Sequence, residues 1–254
     1  MLALLLSGMD KNFYKTYFET EGSHWWFRVR RKVILALIKK YKIPKTAKIF
    51  DFGCGSGYNV GFLQRLGFNA SGADISAEAI EFGRSRGIRN LEVVNNSEIR
   101  APEGGFDLIM TLDVIEHIED DLGAIRAIER ALKPGGRLII AVPAYQWLWG
   151  VQDEVAHHFR RYTAESLSAV INKNPNLKIL RKTYFNTFLF LPIVAVRLLS
   201  RLLKLKARES DFEINNPSLN SLFYAIFNLE TYFLKFMNFS FGISILMVIQ
   251  KNEI

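Results

Sequence analysis

Two groups of residues in this chain have types and spacings suited to chemistry. The first is Asp51, Gly53, Cys54, Gly55 and Gly57 in KIFDFGCGSGYNV. Glycines at every second position after a short apolar run let the backbone approach a ligand and turn tightly into a helix. A dinucleotide fingerprint would need a third glycine three places after the second, and those places hold Tyr58 and Val60. No Lys-Ser/Thr pair follows, so a phosphate-cradling loop of the P-loop type is excluded as well. Asp74, in GADIS, could accept two hydrogen bonds from ribose hydroxyls, or it could cap the helix that starts beyond it. The second group is His157, His158, Arg161 and Tyr162 in DEVAHHFRRYT, with Trp149 just upstream. Histidine is the natural base near neutral pH, and arginine and tyrosine suit a polar or anionic substrate. The same stretch also reads as a solvated basic turn. Metal-ligand spacing of His and Cys is absent and no second cysteine exists, so no metal is expected.

The first group, Asp-x-Gly-x-Gly-x-Gly between a strand and a helix, resembles motif I of the class I methyltransferases that use S-adenosylmethionine. Later segments resemble that family in the same order. Asp74 matches the position that binds the ribose, and Ile75 the one that packs on the adenine. In NNSEI, Asn96 and Ser97 stand where the family often has an aspartate for the adenine amino group. In FDLIMTLDVIEHIEDD, Leu112 and Asp113 match the lining of the cofactor cleft, while His117 faces cofactor or substrate or merely caps the turn. LKPGGRLIIAVP matches the fifth strand, so the resemblance covers about residues 45–145. Cys54 is then read as a small residue whose backbone faces the cofactor. The resemblance also argues against methylation of base amines or amides. Family members with that activity usually carry Asp/Asn-Pro-Pro-aromatic after the fourth strand, and here the place reads Asp113-Val114-Ile115-Glu116.

These residues need a scaffold that brings strand ends together. Apolar runs predict strands at 47–52, 69–74, 91–95, 106–112 and 137–143, with helices Asn59–Leu66, Ala77–Arg86 and Asp120–Leu132 between them. Such alternation predicts an α/β fold, a parallel sheet with helices on both faces and ligands at one edge. The resemblance implies a Rossmann-like, doubly wound sheet of seven strands with the last one antiparallel. LKILRKTYF and ISILMVIQ (243–250) supply the last two strands, and Thr163 is a plausible N-cap for the helix before them. The chain divides into an N-terminal extension and lid helix, residues 1–44, and a methyltransferase domain, residues 45–254, with an apolar and basic helical insertion at 185–240.

The flanks set the remaining expectations. GSHWWFRVRR opens an amphipathic helix from Trp25. In related small-molecule methyltransferases such a helix folds over the cofactor, so Trp26 could offer its face to the cationic sulfonium; alternatively both tryptophans anchor the helix on the sheet. In the insertion, Arg197, Arg201, Lys204 and Arg208 recur at helical spacing beside a run of leucines. A basic amphipathic helix with a broad apolar face suits an anionic membrane surface or an acyl chain, although a helical cap on the sheet would carry the same pattern. The net charge of +8 favours anionic partners without choosing among them.

The expected activity is therefore methyl transfer from S-adenosylmethionine to oxygen of a small or lipid-linked metabolite. The alternatives are an RNA methyltransferase, disfavoured by the missing proline turn and the lack of an appended RNA-binding module, and a non-catalytic protein of the same fold. The opening MLALLLSGMD has too short an apolar run and no preceding basic residue for a signal peptide. It reads as a disordered start, with Met9 as an alternative first residue. No apolar stretch is long enough to span a membrane, so a cytoplasmic and optionally membrane-associated protein is expected. The sequence leaves the oligomeric state open.

Overall fold

The computed structural model describes residues 18–94, 105–203 and 216–253. Helix α1 (Trp25–Lys40) precedes strand β1 (Lys48–Phe52), helix α2 (Tyr58–Arg65), β2 (Asn69–Asp74), α3 (Ala77–Ser85), β3 (Leu91–Val93) and β4 (Phe106–Leu112). Then follow α4 (Asp121–Ala131), β5 (Leu132–Pro143), a short α5 (Val151–Val155), α6 (Ala164–Asn172), β6 (Leu177–Phe185), α7 (Phe190–Leu202), α8 (Pro217–Phe233) and β7 (Ser244–Lys251). Single 3-10 turns lie at Ile115–His117 and Gln146–Leu148.

The seven strands form one sheet in the order β3-β2-β1-β4-β5-β7-β6. β7 runs antiparallel to both β5 and β6, and the other pairs are parallel. The winding direction reverses between β1 and β4. At such a point the crossover helices leave on opposite faces, and a crevice opens beyond the carboxyl ends of the two strands. The strands are apolar without alternation because helices cover both faces; Leu108, Ile109 and Met110 of β4 are all fully buried.

Local chemistry sets the helix starts. Ser76 accepts a bond from Ala79 N–H at 3.1 Å, Asp120 one from Gly123 N–H at 2.9 Å, and Thr163, the expected cap, one from Ser166 N–H at 3.1 Å. Each meets an N–H that the first helical turn leaves without a partner. Strand β5 starts earlier than residue 137: Leu132 already pairs with Phe106, and the Lys133-Pro134-Gly135-Gly136 run bulges out before Arg137 pairs with Leu108, with Gly135 at φ +73°. Its register with β4 shifts between Phe106 and Leu108.

Helices α4 and α6 pack on one face of the sheet, while α1, α2, α3 and α8 share the core of the other. The insertion thus meets the N-terminal helix. Asn220 of α8 accepts from Trp25 N–H at 2.7 Å and donates to Ser23 O at 3.0 Å. The buried Glu230 of α8 accepts from Thr187 and Phe188 N–H at 2.6 and 3.1 Å, just before α7 begins. Burial pushes its carboxyl up to about 7, against the pull of those bonds. The N-terminal helix and the insertion are therefore held together as one cover over a sheet edge.

Candidate functional site

A cavity of about 480 Å³ lies beyond the carboxyl ends of β1, β2 and β4 and under that cover. Its size falls within the roughly 300–1,000 Å³ range of small-molecule sites.

One end is built on the glycine loop. Gly53 and Gly55 have φ of +72° and +55°, in the left-handed region that favours glycine. A Cβ on Gly53 would lie 2.5 Å from a Val114 methyl, whereas one on Gly55 would meet nothing closer than Phe18 at 3.8 Å. Gly53 is therefore required by packing, and Gly55 keeps its backbone open to the cavity. Asp74 holds the loop: Gly55 N–H donates to its Oδ2 at 2.7 Å, and Ser76 N–H donates to its Oδ1 at 2.9 Å. Burial raises its carboxyl despite those bonds. Asp51 is buried at the end of β1, where desolvation lifts it to about 7 against the pull of Arg30. Burial, reinforced by Asp51 and Asp74, pushes the Cys54 thiol well above its ordinary range; it remains a neutral packing group.

Two further groups at this end come from the N-terminal segment. The buried Glu21 accepts a bond from Ser56 Oγ in the loop, and desolvation raises its carboxyl to about 7. Arg30 of α1 is buried and forms an ion pair with Asp113, which follows β4 with φ of +59°. Both Glu21 and Arg30 line the cavity. Trp26 lines it too, with Phe185 and Phe227 stacked on it, each at 5.5 Å between ring centroids.

The other end gathers titratable side chains. Glu116 is fully buried and neither of its carboxyl oxygens has a hydrogen-bond partner among the described residues. Burial, then the nearby Asp113, pushes it well above the carboxylate range. The neighbouring His117 is lowered to about 3 by burial and then by His158, so it stays neutral; its Nδ1 is also without a partner. His158 meets the His117 ring edge-on at 4.5 Å. Glu116, His117 and His158 bring one polar atom each within 4.8 Å of one another. A neutral carboxyl and a neutral imidazole suit hydrogen bonding to a hydroxyl, and a cation would first have to displace the Glu116 proton.

Behind this group, Asp153 of α5 is completely buried. It accepts from Gly150 N–H at 2.7 Å, from Arg161 Nε at 2.7 Å and Nη2 at 2.9 Å, and its Oδ1 lies 2.8 Å from His158 Nδ1. Burial works to raise its pKa, but the bonds from His158 and Arg161 outweigh that and hold it well below its ordinary value. His157, in the left-handed region at φ +54°, turns the chain between α5 and His158.

Thirteen of the residues singled out in the sequence line this one cavity: Asp51, Gly53, Cys54, Gly55, Asp74, Ile75, Leu112, Asp113, Trp26, His117, His157, His158 and Arg161. Gly57 serves packing instead, since a Cβ there would strike Leu91 at 2.5 Å. Tyr162 turns away from the cavity, donating its hydroxyl to Asp121 at 2.8 Å. Trp149 sits beside His158 with ring centroids 6.4 Å apart, outside the cavity wall. Asn96 and Ser97 lie outside the described residues, as do Lys204 and Arg208 of the expected basic stripe. Of that stripe, the Arg197 side chain is among the described residues. It faces the cavity and donates to Leu148 O, which ties α7 to the loop after β5. Sequence reasoning had passed over Glu21, Arg30, Glu116 and Asp153. For Asp153 a local signal existed, an acid five residues before His158 and eight before Arg161.

The profile of the family described as "Methyltransferase domain" matches residues 24–181. A curated relative, "Ubiquinone biosynthesis O-methyltransferase" of Xanthomonas oryzae pv. oryzae (strain PXO99A), is 25% identical over 151 residues, covering 52% of this chain and 63% of the relative. The match thus spans less than two thirds of that protein. Among solved structures, a putative sarcosine dimethylglycine methyltransferase from Galdieria sulphuraria superposes with a TM-score of 0.58 at 18% identity, covering 89% of this chain and 86% of that one. A [4+2]-cyclase superposes with a TM-score of 0.57 at 19% identity, covering 87% and 80%. At these identities the structures bear on the fold alone, and the fold by itself does not choose the chemistry.

Proposed function

The chain belongs to the methyltransferase-domain family, and from that premise we propose that it transfers a methyl group from S-adenosylmethionine to a hydroxyl oxygen of a small or lipid-linked metabolite. The observation that carries this reading is that one cavity joins two parts: a glycine loop whose Gly55 is open and whose fold Asp74 holds, and the Glu116, His117 and His158 group.

The residues at the loop end fit the cofactor. Gly53 to Gly55 would lie along its methionine and ribose parts, Asp74 would receive the ribose hydroxyls, and Ile75 would pack on the adenine. Arg30 and Asp113 offer one positive and one negative group to its carboxylate and ammonium. Asp51 adds a carboxyl whose ionised form a cationic ligand would favour. Bound there, the cofactor supplies an electrophilic methyl group on a sulfonium.

At the other end, His158 accepts the proton of the acceptor hydroxyl, while neutral Glu116 and His117 can donate or accept hydrogen bonds that orient that oxygen. The cover formed by α1, α7 and α8 keeps bulk water from the reacting groups. The oxygen acceptor accords with the relative named for O-methylation in ubiquinone biosynthesis. A lipid-linked acceptor accords with the outer surface of the insertion, where Leu191, Leu202 and Phe236 are 72%, 79% and 76% exposed. An exposed apolar patch of this kind marks a lipid or protein contact. Among the described residues no helix is long and apolar enough to cross a membrane, so the contact in this reading is peripheral.

Titration calorimetry with S-adenosylmethionine and its demethylated product tests the enzyme reading: heat of binding is expected from both, and no heat from either sinks it. Flotation with anionic liposomes tests the peripheral contact. Recovery with the vesicles is expected to fall when Leu191, Leu202 and Phe236 are changed to serine, and unchanged recovery counts against it.

A further inference from the structure

We propose that Asp153, a residue outside the cavity wall, is the positioning residue that makes His158 a base: its carboxylate fixes the imidazole proton on Nδ1 and leaves Nε2 for the acceptor hydroxyl. This rests on the methyltransfer reading above and adds to it a residue that touches neither cofactor nor acceptor.

The geometry leaves little freedom. Asp153 is fully buried and both of its oxygens are taken. Oδ1 meets His158 Nδ1 at 2.8 Å and Arg161 Nε at 2.7 Å, and Oδ2 meets Arg161 Nη2 at 2.9 Å and Gly150 N–H at 2.7 Å. A carboxylate only accepts, so the nitrogen facing it must carry hydrogen. The backbone repeats the tie, with His158 N–H donating to Asp153 O at 2.9 Å. The ring is held from its other sides too. Phe159 N–H donates to Glu116 O at 2.8 Å, which anchors the histidine segment to the turn that carries Glu116 and His117. Arg161 Nη1 donates to Ala144 O at 3.2 Å, which anchors Asp153's second partner to the end of the sheet.

The charged and titratable groups around His158 are Asp153 and His157 on its own segment, Glu116 and His117 from the turn after β4, Arg161 after it, and Arg197 of α7 beyond Arg161. Of these, Glu116 and His117 are held neutral by burial. The fixed negative charge facing the imidazole is therefore Asp153, already half-shared with Arg161. Such a carboxylate orients the ring and stabilises the imidazolium that forms when the hydroxyl proton arrives. The step balances. The acceptor oxygen bonds to the methyl carbon, the carbon–sulfur pair returns to sulfur, and the acceptor proton moves to Nε2, so the positive charge passes from sulfonium to imidazolium.

The deciding measurement needs no acceptor. The chain has four histidines, so nitrogen NMR of the imidazoles, with His158→Gln to assign the signal, reads the tautomer directly. In the unmodified protein the His158 proton is expected on Nδ1. In Asp153→Asn the Nδ1 preference should be lost, because the amide can donate as well as accept where the carboxylate only accepted. Methyl transfer to catechol as a probe should fall roughly 100-fold in kcat, the size of a lost general base. Binding of the demethylated cofactor by Asp153→Asn reports that the variant is folded. Should it unfold, the tautomer of the unmodified protein still decides. A proton on Nε2 in the unmodified protein overturns the proposal, as does an unchanged tautomer in a folded Asp153→Asn. Failure to bind the demethylated cofactor in the unmodified protein would instead strike the methyltransfer reading and leave the NMR result standing.

Discussion

At the glycine-loop end of the cavity the loop backbone is held by turns within a few residues and by two carboxylates, Asp74 and Glu21, with the side chains of Asp51, Arg30 and Asp113 beside it. At the histidine end the groups facing a ligand are side chains from a turn after β4 and a loop after β5, and two of them depend on one carboxylate, Asp153. The first arrangement tolerates little change in the chain and much in its surroundings. The second tolerates the reverse: the residues between Glu116 and Asp153 are an ordinary helix and strand, yet the group works only if both are placed to within a hydrogen bond. This is the expected division between binding a constant donor and handling a particular acceptor. Binding can be built into a turn, whereas proton transfer needs independent groups brought to one point.

The sharpest way to break this comparison is to remove the proposed base. His158→Gln should lower kcat by roughly 10²–10⁴-fold while leaving the dissociation constant of the demethylated cofactor within about threefold. A parallel loss of cofactor binding in calorimetry would show that the two ends are not separable. Asp74→Ala tests the opposite end. It removes the acceptor of two backbone bonds and the candidate ribose partner, so the cofactor dissociation constant should rise about 100-fold, near the upper part of the 1.5–3 kcal/mol range for bonds to a charged group. Melting followed by circular dichroism, together with the demethylated cofactor titration, separates that loss from unfolding.

A smaller effect is expected from pH. Burial raises free Asp51 to about 7, and a cationic ligand favours its ionised form. Binding must then release a proton below that value, so cofactor affinity should rise with pH, by up to about tenfold per unit below pH 7, and level off above it. Calorimetry in buffers of different ionisation enthalpy counts the proton; uptake in place of release would reverse the assignment. The same raised pKa means that ionising Asp51 costs stability, so its effect on folding runs the other way, with stability lost as pH rises from the ordinary carboxylate value through 7. Least affected should be the folded core when the outer insertion is made polar. Leu202→Ser should change stability by no more than about 0.5 kcal/mol, and a large drop in melting temperature would mean that this face packs against something in solution.

How much of this was legible beforehand varies along the chain for physical reasons. The strand–helix alternation, the cap Thr163 and the glycine loop follow from periods and turn geometries that span fewer than ten residues. Asp74 was legible because it ends the neighbouring strand at a fixed register, Phe52 pairing with Ala73. Tyr162 and Arg161 show the limit. They are adjacent in sequence, yet Arg161 reaches Asp153 and Tyr162 reaches Asp121 on the other side of the chain, as extended backbone sends alternate side chains to opposite faces. Arg197 is similar. Its helical spacing placed it with other cations on one stripe, but spacing cannot say which stripe faces the cavity.

The sequence by itself therefore determined the fold class and the glycine loop, since both follow from local backbone preferences and from a hydrophobic pattern that only one layered packing can bury. Only the tertiary structure decided that Arg30 pairs with Asp113, that Glu116 is buried without a hydrogen-bond partner among the described residues, and that Asp153 stands behind His158 and Arg161 at once. Those relations join residues from separate elements across the sheet edge. Their energetics depend on burial, and burial is a property of the packed chain that no single segment carries.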